Sequence, residues 1–161
     1  MFVGMSMKIE KAERNHFEDI CKLITSPEEM YLVYPSGRYP LDLVQLEHLK
    51  SVRDDLSIIS LDNKVIGFAN IYDIKEGQSA FIGNVIIDKA QRGKGYGLAL
   101  IKHMMELIKT KHKALPHLSV FGNNVKAIML YKGLGFVPYD VEERNDNTGQ
   151  KVALFHMRHE N

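Results

Sequence analysis

Apolar residues along this chain change their spacing repeatedly, and each change marks a different kind of element. Residues 8–12 predict a short first strand. Phe17, Ile20, Cys21 and Ile24 then recur at helical spacing and predict a helix over 14–25. Residues 31–40 hold Pro35, Gly37 and Pro40, which predicts an irregular loop carrying the phenols of Tyr31, Tyr34 and Tyr39. Leu43, Leu46 and Leu49 share one face of a second helix over 41–52. Residues 56–61 and 65–72 are apolar and β-branched, and Asp62-Asn63 between them suits a two-residue hairpin turn. A turn near Gly77 leads to a continuous apolar run within residues 79–88, as expected of a buried central strand. Leu98, Ile101, Met104, Met105 and Ile108 form the stripe of a helix over 95–111, with Lys and His in its last turn complementing the helix dipole. A strand at 118–121, a helix capped by Asn123 or Asn124 and running to about 134, and a hairpin of 136–141 with 151–157 complete the chain. This order predicts a mixed α/β (α+β) fold.

Composition narrows the function classes. The chain has 161 residues, with 21 Lys or Arg against 20 Asp or Glu, so bulk charge gives no reason to bind nucleic acid or acidic lipid. A 45% hydrophobic and 25% charged chain is too apolar for disorder, and no stretch approaches the ~20 apolar residues of a membrane span. Cys21 is the lone cysteine, which excludes an internal disulfide and a multi-cysteine zinc site. His156 and His159 have no further ligands at metal spacing, so no metal is expected. Residues 1–6 read as a loose leader without secretory character, and 7–161 as a single domain. The expected location is the cytoplasm.

Chemistry concentrates at Gln91-Arg92-Gly93-Lys94-Gly95-Tyr96-Gly97, between a strongly apolar strand and a strongly amphipathic helix. Glycines let the backbone curl close to an anion, and the first helical turn presents free N–H groups to it. Arg92 and Lys94 add positive charge. The loop is neither a Walker loop, because Gly95 follows Lys94, nor a dinucleotide fingerprint, because Leu98 and Leu100 stand where a third glycine belongs. A strand-to-helix turn with no ligand remains an equal reading of the loop taken alone.

A second motif, from Asn124 to Phe136, starts at a helix cap and ends at Gly135. Asn124 and Tyr131 are seven residues apart and share a helical face, with the small Ala127 between them leaving room for a thin ligand. A protonated Tyr131 could supply a proton to a leaving group. By itself, Tyr131 reads better as a core residue with its hydroxyl at the surface.

Together the two segments resemble the GNAT superfamily of acyl-CoA-dependent N-acyltransferases. Arg92, Gly95 and Gly97 match its Arg/Gln-x-x-Gly-x-Gly/Ala loop. Asn124, Ala127, Leu130, Tyr131, Gly135 and Phe136 match its later Asn-x-x-Ala-x-x-Leu-Tyr-x-x-x-Gly-Phe helix. The resemblance implies a mostly antiparallel twisted sheet, flanked by about four helices, whose fourth and fifth strands splay apart to hold acetyl-CoA. It implies that Val85, Ile86 and Ile87 offer backbone groups to the pantetheine and thioester. Residues Arg92, Gly93, Lys94, Gly95, Tyr96 and Gly97 would wrap the pyrophosphate. Asn124 and Ala127 would line the pantetheine, and Lys132 would meet an outer phosphate or simply be solvated. Tyr131 would protonate the departing thiolate while a neutral amine attacks in a ternary complex.

Some members of that family carry a glutamate base on the fourth strand, where this chain has Asn84. Asn84 is therefore expected to orient the amine or a water, with the proton leaving through water and Tyr31 or Tyr34. The acceptor would be a primary amine of a small molecule, peptide or lysine side chain. Tyr31, Tyr34, Arg38, Asn84 and Arg144 are candidates to contact it. Neighbouring acidic residues suit a cationic amine, and Arg38 or Arg144 suits a carboxylate. The enzyme would act as a monomer or homodimer. The alternative is a non-catalytic acyl-CoA-binding or regulatory domain.

Overall fold

The computed structural model describes residues 6–160, so residues 1–5 of the expected leader lie outside the described residues. Seven strands form one sheet in the order β1-β2-β3-β4-β5-β7-β6. They are β1 (Met7–Lys11), β2 (Asp54–Leu61), β3 (Lys64–Lys75), β4 (Ser79–Ile87), β5 (Leu115–Phe121), β6 (Phe136–Asn145) and β7 (Lys151–His159). Five α-helices accompany them: α1 (Phe17–Cys21), α2 (Pro27–Val33), α3 (Leu43–Val52), α4 (Tyr96–Lys111) and α5 (Val125–Gly133). All strand pairs are antiparallel except β4 with β5. Among the described residues, no helix is long and apolar enough to cross a membrane.

The sheet separates two apolar cores. Ile66 and Ile71 of β3 pack with Leu100, Ile101, Met104 and Ile108 of α4 on one side. Val65 and Phe68 pack with Ile20, Leu46 and Leu49 of α1 and α3 on the other. β3 feeds both cores because it is buried on both faces, and the register shift that leaves Ile66 as an extra residue between Val65 and Gly67 switches the alternation, so that Ile66 and Phe68 face opposite sides. The Asp62-Asn63 turn forms as its composition predicts, with φ of 49° and 68° at the two residues.

Four helices differ from expectation. The stretch expected as one helix over 14–25 splits into a 3₁₀ turn at Arg14–His16 and the short α1. The expected loop begins inside α2, because Ser26 caps that helix by accepting from the Glu29 N–H at 3.1 Å and Pro27 opens its first turn. That Ser-Pro-Glu-Glu start signal outweighs the prolines downstream. On α3, Leu43 is 51% exposed, and the buried face is Leu46 and Leu49. On α4, Leu98 sits at the edge of the stripe and lines a cavity, while Leu100 occupies the core.

The C-terminal end of α4 is tied down by ionic hydrogen bonds. Nε2 of the buried His112 lies 2.9 Å from Asp55 Oδ2, and Nδ1 lies 2.8 Å from Glu76 Oε1. Ionised carboxylates only accept, so both ring nitrogens carry hydrogens and the imidazole is a cation. Burial opposes that charge, but the hydrogen bonds to Asp55 and Glu76 outweigh it and raise the His112 pKa. Lys111 also pairs with Asp55. A raised folded pKa means the stabilisation is complete below the ordinary imidazole value and is lost as pH rises through the folded one. The melting temperature should therefore fall as pH rises from about 6, near the ordinary imidazole value, through the raised one. H112N should flatten that slope and lower stability by about 1–2 kcal/mol at pH 6. Thermal melts of both proteins across this range check it.

Candidate active site

The site arises where β4 and β5 part. They pair in parallel from Ser79 with Leu115 to Ile82 with Leu118, and each then continues without a further paired residue. On the other side of β4 the register with β3 shifts. Phe68 pairs with Ile86 and Asn70 with Gly83, so Asn84 and Val85 together oppose Ala69. This is a β-bulge, and Asn84 takes the left-handed φ of 48° that it requires.

Buried amides hold the bulge. Asn70 Nδ2 donates to Asn84 Oδ1 at 2.8 Å, and Asn84 Nδ2 donates to the Val33 carbonyl at 2.8 Å. Asn70 Oδ1 accepts from Arg53 Nη1 at 3.2 Å. A guanidinium can only donate, so Asn70 must turn its oxygen to Arg53 and its nitrogen to Asn84; that in turn fixes the Asn84 amide. The carboxamide expected to orient an amine is thus engaged by Asn70 and Val33, at the edge of the cleft it lines.

Two cavities open along the splay. The first, about 580 Å³, is lined by Tyr31, Arg53, Tyr72, Asn84, Ser119, Arg144 and His156 among others. The second, about 420 Å³, lies against Ile86, Ile87, Arg92, Gly93, Gly95, Gly97, Ala127 and Leu130. Leu32, Val33, Val85, Asn124 and Tyr131 border both.

The second cavity has the form of an anion cradle. Gly93 and Gly95 have φ of 76° and 88°, and a Cβ on either would meet nothing within 4 Å. Gly95 is the N-cap of α4, so the N–H groups of the first turn have no intrahelical acceptors and the positive end of the dipole lies there. Arg92 is held at the rim: its Nη2 meets Glu29 Oε1 at 2.7 Å and its Nε donates to the Ile87 carbonyl at 3.0 Å. Burial raises the Glu29 pKa, but Arg92 and Thr25 outweigh it and keep the group a carboxylate. Asn124 Oδ1 caps α5 by accepting from the Ala127 N–H at 3.4 Å. Lys94 is exposed near Gln91, and Tyr96 packs against the α4 core instead of lining the cavity. Lys132 is exposed and borders neither cavity. Lys126 borders the second, because six residues along a helix turn a side chain well away from the starting face.

Of the residues expected around the first cavity, Tyr31, Asn84 and Arg144 line it. Tyr31 stacks on Phe121 at 4.7 Å between centroids and donates to the Asn145 carbonyl at 3.1 Å. Tyr34 and Arg38 are elsewhere. Tyr34 is 6% exposed within the second core, where burial raises its pKa, and Arg38 is an exposed residue bracketed by the Gln45 side chain. Arg53, Ser119 and His156 line it without having been expected there, and Tyr72 lines it too. Ser119 follows Leu118, the last residue of β5 that pairs with β4, and so stands where the splay opens. Its Oγ lies 2.7 Å from His156 Nδ1, and His156 Nε2 bonds Glu142. Only strand register brings these three together. Tyr131, on the shared border, is buried enough that desolvation alone pushes its pKa up to about 12.

This geometry has known counterparts. The spermine/spermidine N(1)-acetyltransferase of Bacillus subtilis (strain 168) is 41% identical over 86 residues, covering 51% of this chain and 52% of that protein. The chain thus spans about half the length of the curated relatives it matches. A spermidine N-acetyltransferase chimera from Vibrio cholerae has a TM-score of 0.76 at 23% identity, covering 95% of this chain and 94% of that one. A Salmonella typhimurium chain solved with its cofactor acetyl-CoA has a TM-score of 0.74 at 16% identity, covering 94% and 92%. The acetyltransferase (GNAT) family model matches residues 17–136, from α1 to the start of β6, and the chain belongs to that family.

Proposed function

We propose that this protein transfers an acetyl group from acetyl-CoA to a primary amine by direct attack in a ternary complex. The observation that carries this reading is that the two cavities meet at Val85, Asn124 and Tyr131. A donor in the second cavity and an amine in the first would reach one another only there. Acetyl-CoA supplies a thioester, a carbonyl activated toward amines. The chain supplies orientation, an anion cradle and proton transfers.

The first turn of α4 and the loop through Gly93 and Gly95 hold the pyrophosphate by backbone N–H groups, with Arg92 at the rim. Val85 and Ile87 present the unpaired edge of β4 to the pantetheine arm. Tyr131 is the general acid. With a pKa of about 12 its hydroxyl is protonated at every physiological pH and has a proton to give to the leaving sulfur. Asn84 supports the site by fixing the bulge.

Proton removal from the amine falls to Ser119 and His156. Ionised Glu142 accepts from His156 Nε2–H, which leaves Nδ1 as the acceptor for the Ser119 hydroxyl. The amine proton passes to Ser119 Oγ as the Ser119 proton passes to His156 Nδ1. This route replaces the one expected through Tyr34, whose hydroxyl belongs to the core. Glu142 remains a carboxylate, with its hydrogen bond to His156 the main cause of its lowered pKa.

Y131F should reduce kcat about 100-fold while leaving the Kd for acetyl-CoA nearly unchanged. Thiol release and calorimetry measure the two quantities. H156Q should lower kcat/KM about tenfold near pH 7, with the deficit closing at high pH as the free amine becomes abundant. A pH profile of both proteins shows it. Acetyl-CoA binding with no thiol release across an amine panel would instead support a binding or regulatory domain.

A further inference from the structure

Resting on the acetyl-transfer reading, we propose that the acceptor amine also carries a carboxylate or an equivalent oxyanion, and that Arg53 binds it in the first cavity. Arg53 sits between the end of α3 and the start of β2, and its guanidinium lies over the Tyr72 ring, with Cζ 3.8 Å from the centroid. Nη1 is taken by Asn70 Oδ1. The other guanidinium N–H groups have no acceptor among the described residues, and Arg53 forms no ion pair with a carboxylate there. Burial pulls the Arg53 pKa below its ordinary value, with Tyr72 and Tyr34 opposing, yet a guanidinium remains a cation. A half-buried cation without a counter-ion is costly unless a charge of opposite sign reaches it. Here the route to it is the cavity.

The position is also built for this side chain. A Cβ on Gly83 would fall 2.4 Å from Arg53 Nη1 and 2.7 Å from the Tyr72 ring. Glycine at that point of β4 is what lets the stacked pair lie against the strand. Asn70, fully buried, then fixes the plane of the guanidinium from below. A guanidinium clamped by a ring on one face and an amide at one nitrogen presents its remaining donors in a fixed fork, the geometry that suits a two-oxygen anion.

Charge around the cavity points the same way. Arg53 and Arg144 line it, and Asp73 is the one carboxylate among its described lining residues. Arg144 is offset by Glu142 at 3.2 Å, so Arg53 is the cation left for a ligand. A polyamine would bring more positive charge beside a buried guanidinium. An amino acid, or a short peptide with a free C-terminus, would bring the missing negative charge and an amine in one molecule.

The experiment compares matched acceptors with acetyl-CoA in the full chain: free amino acids and their carboxamides, dipeptides and their C-terminal amides, and spermidine. Free acids should have kcat/KM at least about tenfold above their amides and above spermidine, with the amino acid and dipeptide arms identifying the source of the carboxylate. R53Q should erase that preference, with kcat/KM for the acids falling about tenfold or more beyond any fall for the amides, chiefly through KM. R53K, which keeps charge without the fork, should recover only part of it. G83A, which displaces the guanidinium, should reproduce the R53Q pattern if R53Q fails to fold. Calorimetry of the same acids and amides against the CoA-loaded protein reads the preference without turnover. If no amine is acetylated, the transfer reading fails while calorimetry still decides the role of Arg53. Equal use of acids and amides, a preference for spermidine, or equal losses on both substrate types in R53Q would overturn the proposal.

Discussion

The separation of β4 from β5 is the constraint on which the rest of the site depends. Hydrogen bonding between strands is ordinarily satisfied to their ends, and an unpaired strand edge facing a cleft leaves backbone groups that need other partners. Here the strands part after Ile82 and Leu118. The bulge at Asn84 bends β4 away, and it is stable because three side-chain amide or guanidinium groups meet there with no freedom in their orientations. The cost of a non-glycine residue in the left-handed region is about 1 kcal/mol or more. Two hydrogen bonds to the Asn84 carboxamide, one buried and one half-buried, are of the magnitude needed to offset it.

Once the strands are apart, the two surfaces they expose do different work. β4 and the α4 N-terminus form a cradle whose positive potential comes from oriented N–H groups more than from side chains. Arg92 is already paired with Glu29, and Lys94 and Lys132 stand out in solvent. A chain with 21 basic and 20 acidic residues can bind a polyanion this way without any basic surface. β5 and β7 carry the opposite wall, where Ser119 and His156 reach the cleft from adjacent strands with Glu142 of β6 behind them. The proposed proton donor and proton acceptor thus sit on separate elements, α5 and the C-terminal strands, facing a common opening.

The elements legible in the sequence were those with one dominant signal. The β3 and β4 runs, the α4 stripe, the Asp62-Asn63 turn and the Asn124 cap all have local causes, and Tyr131 follows from the spacing to that cap. The glycine loop was readable because its conformational demand is local. Arg53, Ser119 and His156 were not, since each lies in an ordinary-looking segment and acquires its surroundings through strand register over 37 residues or through a packed ring. Tyr34 and Arg38 were misplaced for a related reason: an unrecognised Ser26 cap turned part of a presumed loop into α2, which carried Tyr34 into the core and left Arg38 outside. Asn84 was placed correctly in the cleft, but its partners Asn70 and Val33 come from elements that sequence spacing does not relate to it.

The network through Asn84 also joins the two halves of the site. Arg53 donates to Asn70, Asn70 to Asn84, and Asn84 to the Val33 carbonyl at the end of α2, so the acceptor-side cation and the donor-side strand share one chain of hydrogen bonds. An anion at the free edge of the guanidinium would hold it in the plane that Asn70 requires, and so favour the same amide orientations that hold the bulge. Conversely, a guanidinium drawn away from Asn70 would leave a buried amide oxygen without its donor, at a cost of about 1–3 kcal/mol. A ligand in the first cavity would therefore act on the β4 edge bordering the second through directional hydrogen bonds. The linkage is reciprocal, so whatever orders that edge also orders the fork of Arg53.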